Sequence, residues 1–173
     1  MNRLLEPGQA QKIQQKANEL LAKYRQVSDP YELVSKIASD HEVRIMEADL
    51  YEMSGALRKE SDHWVIYVNR SDSQQRKLFT IAHELGHFFV HRDLCDEFVD
   101  SQFVARDNRE RHTERELEAN EFAGNLIMPE LEVRERVSGN ITEDTLLSLA
   151  RSFGVSAIAM ETRLRNLGYA TPH

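Results

Sequence analysis

The sequence predicts an α+β protein: a small antiparallel three-stranded sheet packed on a helical core, with a helix-turn-helix-like segment at the C-terminal end. Three observations lead there. Apolar residues recur at helical spacing towards both ends of the chain, the period drops to two within residues 42–69, and the next segment is apolar nearly all round yet carries two histidines and a glutamate. At 173 residues, with 40% apolar and 29% charged residues, the chain has the length and composition of a globular domain with its own core.

Taken in order, Ile13, Ala17, Leu20, Leu21 and Tyr24 place an amphipathic helix over residues 9–25. Ser28-Asp29-Pro30 then supplies a cap followed by proline at the first helical position, and Tyr31, Leu33, Val34, Ile37 and Ala38 form the buried face of a second helix. From His41 the pattern alternates. Val43 and Ile45 mark one strand, residues 54–58 a second and the β-branched and aromatic run of residues 63–69 a third, with residues 59–62 as the hairpin turn. His41 and His63 lie beside these strands with no partner at ligand spacing and read as surface histidines.

The helix after residue 70 can be capped by Ser71 with Gln74 or by Asp72 with Gln75. It carries His83-Glu84-Leu85-Gly86-His87, in which the two histidines lie one turn apart on the same face. Burying two imidazoles and a carboxylate is costly unless they are paired or bind a metal. His-Glu-x-x-His on a helix is the pattern that offers two nitrogens to one zinc ion and a carboxylate to the water beside it, which makes His83 and His87 candidate ligands and Glu84 the candidate catalytic base. Gly86 inside such a helix costs about 1 kcal/mol against alanine and so implies a packing or functional reason. His91 sits two turns from His83, about 12 Å along the axis, too far to share one ion with it. It is expected to stand behind the ligands or on the substrate side. A further ligand ten residues after His83, following a glycine turn, would mark another arrangement, but that position is Asp93 and no glycine occurs between Phe88 and Glu116.

The third ligand is sought in residues 114–129, where Ala119, Phe122, Ala123 and Leu126 form an apolar helix face and Pro129 ends the helix. Glu116 shares the inward side of Ala119 and Asn120, whereas Glu118 points about 160° away from Glu116. Glu116 is therefore the candidate ligand and Asn120, one turn on, a candidate hydrogen-bond partner for a metal-bound histidine. The structural alternative is a capping box formed by Thr113 and Glu116.

Three helices complete the chain: a short one from residue 130 to 137, one capped by Thr142 and stopped by Gly154, and one from the Ser156 cap to residue 166, stopped by Gly168. Glu143, Asp144 and Glu161 offset Arg151, Arg163 and Arg165, and the whole chain has a net charge of -7, so groove binding to DNA is not expected. No apolar run approaches the roughly 20 residues that span a bilayer, the N-terminus has no secretory core, and the single cysteine, Cys95, fits a reducing compartment; a cytoplasmic protein is expected.

The runs at residues 76–87, 116–123 and 126–129, and the segment from Leu149 to Ser156 with Met160, Arg163, Leu164 and Leu167-Gly168, resemble the ImmA/IrrE family of zinc metallopeptidases over residues 42–168. That resemblance, which begins at residue 42, implies a metallopeptidase core; with the N-terminal helices included the core is expected over residues 1–137, and residues 138–173 as a helical segment packed on it. It also implies a cytoplasmic endopeptidase that cuts a helix-turn-helix repressor and so releases genes of a mobile element or a stress response. One zinc per chain is expected on His83, His87 and Glu116, with Glu84 moving the proton. His91, His112, Tyr67 and Arg109 are candidates to stabilise the oxyanion. The rival reading is a regulatory or binding module with a structural or degenerate zinc site that contacts DNA or a protein. An intact Glu84 speaks for the enzyme, since a structural zinc has no use for a carboxylate at an open coordination position.

Overall fold

Two prolines start the first two helices. In the computed structural model, which describes residues 5–99 and 109–172, Pro7 opens α1 (Pro7–Lys23) and Pro30 opens α2 (Pro30–Asp40), each at a position where a missing N–H breaks no helical bond. Asp29 caps α2 by accepting the Glu32 N–H at 2.8 Å.

The sheet differs from expectation in two ways. It has four strands, ordered β1 (Val43–Ala48), β3 (His63–Asn69), β2 (Gly55–Glu60) and β4 (Glu97–Val99), and it is mixed, because β1 and β3 run parallel while β2 is antiparallel to both β3 and β4. The cause lies in β3. Val65, Ile66 and Val68 are all buried, so this strand takes a central place, with β1 on one side and its hairpin partner β2 on the other. The hairpin turns at Ser61, whose φ of 53° lies in the left-handed region. The short β4 follows the third helix and carries too few residues to show a period. One face of the sheet, with Leu57, Ile66, Val68 and Phe98, joins the core.

Helix α3 (Gln74–His91) lies against that face, capped by Ser73, which accepts the Arg76 N–H; the expected caps one or two residues earlier are not used. Its buried set runs over Leu78, Ile81, Ala82, Leu85 and Phe88, and also takes in His83, Glu84, His87 and His91. Helix α4 (Arg109–Ile127) crosses it closely. A Cβ on Gly86 would stand 3.0 Å from both Cα and O of Ala119 and 3.2 Å from Cβ of Phe122, which is the packing reason for that glycine.

Three helices follow: α5 (Glu130–Arg136), α6 (Glu143–Ser152) and α7 (Ala157–Asn166). Thr142 and Ser156 cap the last two as expected, and Gly154 and Gly168 take positive φ after them. Leu146, Leu149, Phe153, Met160 and Leu164 share one continuous core with α1, α3 and α4. Arg163, 4% exposed, donates from Nε to the Met128 carbonyl at 3.0 Å and from Nη2 to Asn125 Oδ1 at 2.8 Å, tying α7 to the end of α4. Among the described residues no helix is long and apolar enough to cross a membrane.

Candidate metal centre

The α3–α4 contact brings three side chains together. His83 and His87 project from successive turns of α3 with their Nε2 atoms 3.1 Å apart. Glu116 on α4 places Oε2 3.1 Å from His83 Nε2 and Oε1 3.2 Å from His87 Nε2. Helix α4 starts at Arg109, so Thr113 lies inside it and the capping role for Thr113 with Glu116 does not arise.

Hydrogen bonds at the far side of each imidazole set its tautomer. Asn120 Oδ1 lies 2.9 Å from His83 Nδ1 and accepts from it. Glu118 Oε2 accepts from His91 Nε2 at 2.6 Å, which leaves His91 Nδ1 as an acceptor 3.0 Å from His87 Nδ1, so His87 donates there. Both Nε2 lone pairs therefore face the Glu116 carboxylate. A cluster of acceptors at one point requires a cation, and the spacings of 3.1 to 3.2 Å are close to the ~3.3 Å edge of a tetrahedron with metal bonds of about 2.0–2.1 Å. The three residues fit a metal ion; among the described residues no other histidine, cysteine or carboxylate group forms such a set.

Without a metal the cluster holds a proton. Burial opposes charge on His83, but the hydrogen bond to Glu116 and the charges of Glu84 and Glu116 outweigh it and raise this imidazole to about 9. Burial prevails at His87 and lowers it to about 4, against the pull of Glu116. Burial would also raise Glu116, yet its bonds to the two imidazoles hold its carboxyl well below the usual range.

Glu84, 1% exposed, lies on α3 beside His83, under strand β2. A Cβ on Gly55 would stand 2.3 Å from Thr80 Cγ2 and 3.1 Å from Glu84 Oε1, so glycine at the start of β2 is what admits this carboxylate beneath the strand. The cluster borders solvent on its α4 side, where Asn120 is exposed and the Glu116 side chain is 22% exposed.

The remaining candidates separate. His91 is 2% exposed and stands behind His87, with Nδ1 against His87 and Nε2 against Glu118, so neither ring nitrogen faces the cluster of His83, His87 and Glu116. The Tyr67 hydroxyl donates to Glu60 at 2.5 Å, on the sheet face opposite the Ile66 and Val68 side chains. The side chains of Arg109 and His112 lie outside the described residues. His41 is half-buried with its ring edge on Phe89 at 4.8 Å, and His63 is half-buried too. Glu118, read in the sequence as pointing away, does reach α3 although it leaves the helix on another side from Glu116, and two residues went unread: Phe98, whose ring stacks on His87 at 4.8 Å, and Gly55. Only Gly55 carried a signal, as a glycine inside a strand pattern.

A family model described as the IrrE N-terminal-like domain, of the M78 peptidases, matches residues 38–165. Over 138 residues the chain is 28% identical to the protein named Metallopeptidase ImmA of Bacillus subtilis (strain 168), a match covering 78% of this chain and 76% of that one. Over 139 residues it is 30% identical to Uncharacterized immunity region protein 2 of Bacillus phage phi105, with 80% of each chain covered. The matched span contains both histidines of α3, Glu84 between them and Glu116 of α4, and with that match the chain belongs to the ImmA/IrrE family of metallopeptidases.

Proposed function

We propose that the protein is a zinc endopeptidase that cuts a helix-turn-helix transcriptional repressor at a specific site and thereby releases genes of a mobile element or a stress response. The observation that carries the chemistry is the convergence of two Nε2 lone pairs and the Glu116 carboxylate on one point, with Glu84 held one residue along the same helix. A relative named as a metallopeptidase supports the peptidase, and another named for a phage immunity region supports a role at a mobile element.

His83, His87 and Glu116 would hold the ion, and Asn120 and His91 keep the two imidazoles in the Nδ1–H tautomer that would leave Nε2 free to bind it. Three protein ligands suit zinc at a catalytic site, where it supplies Lewis acidity toward a water and a peptide carbonyl. Glu84 takes the proton from the attacking water and passes it to the leaving amine. Burial beneath β2 keeps that carboxylate in one orientation and out of contact with bulk solvent.

The test incubates the zinc-loaded protein with candidate helix-turn-helix repressors and reads cleavage by intact-mass spectrometry. Glu84→Gln conserves shape and should retain zinc while losing at least about 10²-fold in rate, the share expected of a general base. A Glu84→Gln protein as active as wild type, or a wild type that takes up no zinc, defeats this reading.

A further inference from the structure

We infer that His91, Glu118 and Gln9 form a positioning chain that holds His87 as an Nε2 ligand and links metal retention to helix α1. The inference rests on the proposed metal site. Each link has a direction: His87 Nδ1–H donates to His91 Nδ1 at 3.0 Å, His91 Nε2–H donates to Glu118 Oε2 at 2.6 Å, and Gln9 Nε2 donates to Glu118 Oε1 and, at 3.2 Å, to Glu114 Oε1. The carboxylate sets the order, because it can only accept.

Packing alone does not account for these residues. His91 is 2% exposed and the Glu118 side chain 13% exposed, and burying an imidazole and a carboxylate among apolar neighbours costs free energy that a phenylalanine and a leucine would not incur. What the pair supplies is a lone pair at His91 Nδ1, which fixes the proton of His87 on the nitrogen facing away from the metal site. Once Glu118 no longer accepts, His91 can carry its proton on Nδ1, and His87 must then turn its own proton toward the ion. Phe98, stacked on His87 at 4.8 Å and 15°, fixes the ring plane but cannot choose the tautomer. Only the hydrogen-bonded chain does that, and it ends on α1, an element that contributes no ligand.

The test measures zinc affinity of the full-length protein by competition with a chromogenic chelator, the absorption spectrum of its cobalt-substituted form, and the melting temperature of the metal-free protein. Glu118→Ala and His91→Phe should each weaken zinc by about 10–100-fold, the usual effect of removing a partner of a metal-bound histidine, and should change the cobalt spectrum. Glu118→Gln, which keeps an acceptor for His91, should recover most of the affinity. Gln9→Ala, on the part-exposed side of α1, should weaken zinc by a smaller factor with no loss of folding. If His91→Phe does not fold, the Glu118 and Gln9 variants decide alone. Wild-type affinity and an unchanged cobalt spectrum in Glu118→Ala and Gln9→Ala would overturn the positioning chain while leaving the metal site standing. A wild type that binds no zinc would defeat the site itself.

Discussion

Two identical side chains four residues apart end with opposite proton affinities: burial opposes charge on both, but the bond to Glu116 and the charges of Glu84 and Glu116 overcome it at His83, whereas at His87 burial, helped by the charge on His83, prevails. This gives metal uptake a pH signature. At pH 7 His83, at about 9, holds a proton, while His87, at about 4, and Glu116, held low, do not. Zinc binding should therefore release about one proton per ion at pH 7, none well above pH 9, and more than one but fewer than two near pH 4, where His87 is about half protonated and Glu116 is not. Calorimetric titrations in buffers of different ionisation enthalpy measure that number, and a release of zero at pH 7 would sink the assignment. The same values set the stability of the metal-free protein. His83 lies above its unfolded value of 6.5, so its contribution is whole below that pH and is lost as pH rises through about 9; His87 lies below 6.5, so its contribution is present above 6.5 and lost as pH falls towards 4.

At the scale of elements, α3 and α4 form the site by their closeness, and a glycine at their crossing and one away from it should respond to a methyl group with opposite signs. Gly86→Ala gains about 1 kcal/mol of helix propensity but drives a methyl into the Ala119 backbone at 3.0 Å, so the crossing must open. The expected outcome is a net destabilisation of about 1–3 kcal/mol, with weaker metal binding because Glu116 moves away with α4. Gly124→Ala meets only Arg163 Cδ at 3.8 Å and Nη1 at 3.9 Å, ordinary contacts, and should stabilise by about 0.5–1 kcal/mol. Urea unfolding of both variants measures the signs, and a stabilising Gly86→Ala would refute the close crossing.

Features that depend on neighbours along one helix were legible in the sequence: the caps at Asp29, Thr142 and Ser156, the shared face of His83 and His87, and the inward side of Glu116 and Asn120. Features that depend on pairing across space were not. Nothing local tells β3 to insert between β1 and β2, a three-residue β4 has no period, and Glu118 meets His91 only because two helices cross at Gly86. The helical angle between Glu116 and Glu118 was sound, but both side chains are long enough to reach α3 from either side of the Ala119 contact.

For the whole molecule, the balance of charge and core decides what the C-terminal helices do. The chain carries 29 acidic against 22 basic residues. In the C-terminal part the outward balance is more acidic than the sequence count suggests. Arg163 is buried against Met128 and Asn125, and Arg165 is bound to Glu161 at 2.5 Å, which leaves Arg151 facing Glu143 and Asp144. The apolar face of α6 and α7 is already spent in the common core, so neither helix is a separate unit laid over a groove. A protein that reads duplex DNA needs several outward cations to displace counterions from phosphates, and affinity gained that way falls steeply with salt. We therefore expect weak binding of duplex DNA even at low salt, with no dependence on sequence; under the proposed function the segment that enters the site would be a repressor's exposed linker, since proteases need extended, accessible backbone. Fluorescence anisotropy with promoter and scrambled duplexes across a salt series measures this. Tight binding to one promoter sequence at physiological salt would reverse the expectation and make these helices a DNA-reading module.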